Sequence, residues 1–121
     1  MPFRGRWTPR ARADFDALRA AAEAALRKSR ASRGGKGKKP RKSPAIGRFR
    51  QVEKCVRLLL QDPRHPGLHT HEFHSLENPF DPAGKVFEAY VQNDTPAALR
   101  LFWCYGPTQG EITVIAITAH P

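Results

Sequence analysis

The spacing of hydrophobic positions changes along this chain and divides it into two parts. Phe15, Leu18, Ala22, Ala25 and Leu26 recur at helical intervals, with Arg, Asp and Glu between them. That spacing places them on one face of an amphipathic helix. Thr8-Pro9 supplies the start, a capping hydroxyl followed by proline in the first turn, so a helix is expected from residue 9 to about residue 28. Ile46, Phe49, Val52, Val56, Leu59 and Leu60 repeat the pattern after a second cap-and-proline pair, Ser43-Pro44. Asp62-Pro63 ends this second helix, because proline disfavours helical geometry in the residue before it.

Beyond Pro66-Gly67 the period falls to two. Residues 68–74 read as a strand, and residues 78–84 (NPFDPAG) as a turn-rich loop. Residues 85–92 (KVFEAYVQ), 98–105 (ALRLFWCY) and 111–119 (EITVIAITA) are rich in β-branched and aromatic side chains, the composition of strands. They are joined by NDTPA and GPTQG, which are turn compositions. A further short strand is expected at residues 3–8 (FRGRWT). Consecutive strands with short connections make a meander, and the two helices make a hairpin able to cover one of its faces. The expected fold is therefore α+β, a two-helix hairpin packed on a small antiparallel sheet of about four strands. It forms a single domain over residues 1–121, with Phe87, Trp103, Ile112, Val114 and Ile117 in its core.

Charge adds one feature that periodicity does not show. The formal net charge is +10, and residues 27–42 (RKSRASRGGKGKKPRK) hold nine Lys and Arg with no acid. Without that tract, 12 basic residues face 11 acidic ones, a net of +1 (21 − 9 = 12). Gly34, Gly35, Gly37 and Pro40 disfavour helix there, so a flexible loop is expected at about residues 29–43. Lys36, Lys38, Lys39, Arg41 and Lys42, with Lys85 at the start of a strand, are expected to attract the phosphates of RNA or DNA without sequence preference; a solvated linker is the plain alternative. The tract has no aromatic residue to stack on a base, so it would add affinity and not recognition. No apolar run approaches the roughly 18–20 residues that span a bilayer. Cys55 and Cys104 sit in the apolar runs VEKCVRLLL and LFWCYG. They read as buried, reduced thiols of a cytoplasmic protein.

The candidate chemistry lies in HPGLHTHEFH, which holds four of the five histidines. Strand alternation puts His69 and His71 on one side, while His65 and His74 read as structural or solvated. Two imidazoles on one side could begin a zinc site, with His120 or Glu72 as a third ligand. The chain has no Cys-x-x-Cys, no His-Glu-x-x-His and no carboxylate cluster, so neither a metal nor another cofactor is expected. Arg100 is the one arginine in the three strong strands, flanked by Leu99, Leu101, Phe102 and Trp103. Such a charge needs a partner, for which Glu88 is a candidate, or a groove to open onto. Tyr105 ends the same strand, where a phenol could reach a phosphate or base.

Three patterns then stand in order: Leu68-His69-Thr70-His71 before the sheet, Arg100 entering a strand in LRLFW, and an apolar last strand, ITVIAITAHP, ending at His120. This order resembles the RelE/ParE superfamily of bacterial toxin–antitoxin toxins, most clearly from the second helix onward. The resemblance implies a strand, two helices and a compact antiparallel sheet. In the ribonuclease branch the toxin cleaves mRNA, commonly on the ribosome, by aiding attack of a 2′-hydroxyl on the adjacent phosphate. Carried over by position, the catalytic residues would be His69, His71, Arg100 and His120. The partners implied are mRNA, the ribosome and a cognate antitoxin. One branch has a lysine pair where this chain has Glu88 and Tyr90, which favours a histidine-based site. The same departure leaves open the ParE branch, which inhibits DNA gyrase by binding. The residue types suit RNA cleavage. Histidine titrates near operating pH and can exchange protons, and the planar arginine fork matches phosphate oxygens.

Deleting residues 30–42 is expected to weaken RNA binding and flatten its salt dependence. Affinity measured between 50 and 200 mM salt, roughly the range over which phosphate contacts dominate, checks this. An unchanged slope would assign the tract to the linker reading.

Overall fold

The computed structural model describes residues 2–31, 43–93, 95 and 97–119. The expectations for Lys36, Lys38, Lys39, Arg41, Lys42 and His120 lie outside these residues. Thr8 opens the first helix, α1 (Pro9–Ala31). Its hydroxyl oxygen accepts a hydrogen bond from the Ala11 amide at 3.0 Å and satisfies a donor that the first helical turn leaves free. The second helix, α2 (Pro44–Gln61), follows an extended Ser43, whose side chain makes no capping bond. Phe15 of α1 packs on Phe49 of α2, with ring centroids 5.2 Å apart. It also packs on Trp7 at 5.2 Å, so one side chain joins both helices to the N-terminal strand.

The strands are β1 (Arg4–Trp7), β2 (His71–Glu72), β3 (Phe87–Tyr90), β4 (Leu99–Tyr105) and β5 (Glu111–Ala119). They form one sheet in the order β1-β5-β4-β3-β2. The sheet is five-stranded and mixed, where an antiparallel sheet of about four strands was expected. The difference is β1, which pairs in parallel with β5, Arg4 opposite Glu111 and Trp7 opposite Val114. Parallel neighbours need a long crossover, and here everything from α1 to β4 serves as that connection. The other pairs are antiparallel.

The hairpin covers one face of the sheet. Ala11, Val52, Cys55 and Leu59 of the helices meet Ala89, Leu101, Trp103, Ile112, Val114 and Ile117 in the main core. A smaller cluster of Val86, Phe102, Cys104, Ile115 and Ala116 lies on the opposite face, and Phe73 and Leu76 pack against it. Pairing between β4 and β5 slips by one residue. Phe102 faces Ala116 and Trp103 faces Val114, which leaves Ile115 as an extra residue in β5. Such a bulge lets the strand change which face a side chain meets. Ile115 and Ala116 therefore lie in one cluster while Val114 and Ile117 lie in the other.

β5 runs past the end of β1, and its backbone beyond that point is satisfied by α1. The Thr8 hydroxyl donates to the Ile115 carbonyl at 2.7 Å, and the Ile117 amide donates to Asp14 Oδ2 at 2.9 Å. Buried backbone groups need such partners.

Residues 68–74 depart from the expected strand. Pro66–Leu68 forms a single 3-10 turn, the Gly67 amide donates to His65 Nδ1, and His69 takes a left-handed backbone with φ 49°. That conformation breaks an extended run, so only His71 and Glu72 pair with β3. Among the described residues no helix is long and apolar enough to cross a membrane.

Thr8→Val removes one hydroxyl that both caps α1 and bonds to β5. It is expected to destabilise the fold by about 1–2 kcal/mol, read from urea unfolding. Cys55 and Cys104 are free and buried. Burial pushes their thiols up from an ordinary 9.0, Cys55 to about 12 and Cys104 to about 11. A raised folded-state value favours the folded state fully below the unfolded value. Stability is therefore expected to fall as pH rises from 9 towards 11–12, the range where the unfolded chain ionises first. Both thiols should resist a disulfide reagent at pH 8 until urea is added, and rapid labelling of the folded chain would contradict their burial.

Candidate active site

Register decides which side chains meet on the sheet. His71 of β2 lies opposite Glu88 of β3, and Tyr90 of β3 lies opposite Arg100 of β4. Directly opposed side chains in a sheet are close enough to touch. The Arg100 guanidinium stacks on Tyr90, with Cζ 3.7 Å from the ring centroid. Its Nη1 donates to the Gln92 carbonyl at 2.5 Å and to the Leu99 carbonyl at 3.3 Å. Its Nε is shielded from water and has no hydrogen-bond partner among the described residues. The ring face and two carbonyls make a half-buried cation tolerable.

His71 is held from both sides. Its Nδ1 donates to the His69 carbonyl at 3.0 Å, and its Nε2 lies 2.7 Å from Glu88 Oε1. Both ring nitrogens therefore face oxygen acceptors, an arrangement that the doubly protonated imidazole satisfies. The His71 side chain is 46% exposed, whereas that of Glu88 is 1% exposed. A buried carboxylate thus orients an imidazole that solvent can reach. His69 and His71 both pack on Tyr90, at centroid distances of 5.3 and 5.8 Å. The alternation that paired the two histidines does not exist at the left-handed His69, yet the 3-10 turn brings both rings to the same tyrosine.

Beside this cluster, on the face opposite the hairpin, is a groove of about 510 Å³ lined by Arg10, Phe73, Ser75, Leu76, Phe102, Thr118 and Ala119. Its floor adjoins the cluster through the sheet, since Phe102 lies opposite Glu88 and Thr118 opposite Arg100. The arrangement can present a planar cation and a proton-bearing imidazole to an anion lying along the sheet.

The structure gathers His69, His71 and Arg100, three of the residues the sequence singled out. Tyr105 lies at the far end of β4, where its ring packs on Phe3, Phe87 and Trp103. Lys85 meets Glu72 at 3.0 Å. His65 accepts the Gly67 amide inside its turn, and His74 is exposed and 4.0 Å from Glu72. Glu88 and Tyr90 belong to the cluster but were not among the candidate site residues. The signal for Glu88 was a single carboxylate in the strand FEAY, at a position that proves buried. Composition and spacing gave no such signal for Tyr90, because a strand tyrosine is usually packing; only the resemblance marked its position. Among the described residues no group of three or more His, Cys, Asp or Glu side chains is arranged to hold a metal ion.

No protein-family model matches the sequence, and no curated protein matches it. Solved structures do match. A YoeB/ParE toxin from Agrobacterium tumefaciens is 11% identical and superposes with a TM-score of 0.60, over 98% of this chain and 99% of that one. The YoeB dimer from Staphylococcus aureus is 9% identical, with a TM-score of 0.55 over the whole of both chains. The archaeal RelE–RelB complex from Pyrococcus horikoshii OT3 gives 12% identity and a TM-score of 0.53, over 98% of this chain and 96% of that one. At these identities the agreement concerns architecture, and it extends from end to end: this chain has the fold shared by these YoeB/ParE and RelE structures.

Proposed function

We propose that this chain is the toxin of a toxin–antitoxin pair and acts as an endoribonuclease on mRNA at the ribosome, inhibiting translation in the cytoplasm. The observation that carries this reading is the meeting of Arg100 and His71 around Tyr90, with His71 anchored to the buried Glu88. Cleavage by a 2′-hydroxyl needs a base, a stabiliser of phosphate charge and an acid for the departing 5′-oxygen. Arg100 suits the second role, because its charge is permanent and its position is fixed by Tyr90 and two carbonyls. His71, oriented by the buried Glu88 with its own ring about half exposed, suits the acid role. His69, exposed beside Tyr90, and His120 are the candidates for the base. Tyr105, away from this cluster, would act only through a substrate long enough to reach it. Lys36, Lys38, Lys39, Arg41, Lys42 and Lys85 would add affinity for the phosphate backbone. The RelE structure among the similar proteins was determined with RelB, which supports an antitoxin as this chain's partner.

Purified protein incubated with mRNA, free or on programmed ribosomes, is expected to generate new RNA ends detectable by primer extension. Arg100→Ala should lower the cleavage rate at least about a hundredfold, the usual cost of losing a transition-state donor. His71→Ala should lower it by about 10²–10⁴. Full activity in both variants would dismiss the catalytic reading and leave a binding protein on the same fold.

A further inference from the structure

Arg10 lies far from Arg100 in sequence, yet it lines the groove whose floor adjoins the cluster. It stands in the first turn of α1, because Thr8 caps that helix and ties it to β5. Its side chain is 57% exposed, and its ion pair with Asp14 of the next turn is long at 3.9 Å. Asp14 is committed elsewhere, since its Oδ2 accepts the Ile117 amide. The guanidinium head is therefore loosely held.

The rest of the lining is distinctive. Phe73 is a half-buried aromatic, packed on the buried Phe102 at 4.7 Å. Ser75 and Thr118 bring hydroxyl groups, Leu76 and Ala119 are apolar, and none of the described lining residues is acidic. A volume of about 510 Å³ falls within the roughly 300–1,000 Å³ of small-molecule sites. An aromatic face, hydroxyl groups and a loosely held cation are the features that hold one nucleotide of a single strand. The base stacks, its edge finds hydrogen bonds, and the phosphate meets the arginine.

We propose that this groove is a single-nucleotide subsite for single-stranded RNA, and that Arg10 binds the phosphate of the nucleotide seated there. Arg10 and Arg100 then grip successive parts of one strand from two separate elements, the start of α1 and β4. The strand is laid along β4 and β5, past the cluster. The assignment rests on the ribonuclease reading for its choice of RNA, but it concerns binding and not the chemical step.

The test uses the full chain and a fluorescent single-stranded RNA hexamer of mixed sequence, 2′-O-methylated so that 2′-hydroxyl attack cannot occur. Anisotropy titrations at several salt concentrations read affinity and the salt slope. Arg10→Ala is expected to weaken binding about tenfold, as for loss of one charged hydrogen bond. It should also reduce the magnitude of the slope by about 0.7, the value for one phosphate on a single strand. Arg10→Lys keeps the charge and should keep the slope while losing part of the affinity. Arg19→Ala, on α1 but bound to Asp16 away from the groove, should leave both unchanged. Unchanged affinity and slope in Arg10→Ala would overturn the subsite, as would failure of the unaltered chain to bind the hexamer. The two readings separate cleanly. An Arg10 effect in a chain that cleaves no RNA retains the subsite and removes the ribonuclease. Arg100-dependent cleavage with no Arg10 effect does the reverse.

Discussion

A strand buried on both faces must find partners for every backbone group on its edges, and β5 cannot find them all in the sheet. β1 reaches only as far as Val114, while β5 continues to Ala119. The Ile115 carbonyl and the Ile117 amide beyond that point are met by Thr8 and Asp14. Unmade, each bond would leave a desolvated polar group costing about 1–3 kcal/mol. This constraint sets where α1 starts and how it lies against β5. It consequently sets the hairpin on one face of the sheet, and it brings Arg10 to the edge of the other. The bulge at Ile115 belongs to the same arrangement, because it returns Ile117 to the hairpin side after two residues have faced the opposite side.

The cluster on that opposite side places opposite charges in the sheet without isolating either one. Arg100 lies against the Tyr90 ring and two carbonyls, and Glu88 lies against His71. An unpaired charge at such depth would be costly. Here each is compensated locally while one working edge stays accessible, since His71 is about half exposed and the groove opens beside Arg100's strand neighbour Thr118. Proteins 9–12% identical to this chain share its architecture over nearly their whole lengths. Layered α+β packing asks only for apolar positions at the right period, so it survives almost complete replacement of the residues. Chemistry asks for particular atoms at particular places, and it has to be argued from this chain's own cluster.

Much of the fold was legible. The helices begin at Pro9 and Pro44, where cap-and-proline pairs stand, and the last strand covers the expected residues. These are local signals, carried by neighbours within a few positions. The stretch 68–74 was misleading for an equally local reason. Its alternation fits a strand, but Pro66 and Gly67 favour a tight turn, and the turn carries on into a left-handed His69. The parallel β1 was not legible, because pairing across more than a hundred residues leaves no periodic trace. Of the candidate residues, Arg100 was visible as a polar exception in apolar surroundings, and the two histidines by their clustering in HPGLHTHEFH. Tyr90 was not, because it looks like any strand aromatic.

By itself the sequence determined the two amphipathic helices, the run of strands, the α+β class and a short list of side chains able to do chemistry. All of these follow from spacing, capping and composition, which act over a few residues. The tertiary structure alone decided that β1 joins β5, that Tyr90 is the ring on which His69, His71 and Arg100 converge, and that Glu88 binds His71. It also decided that Arg10 shares a groove with Phe73 and Thr118. Strand register sets Tyr90 against Arg100 and Glu88 against His71, and a shift of one residue would turn these side chains to the other face. Register is chosen by the packing and hydrogen bonding of the whole sheet, and no segment of the chain contains that information alone.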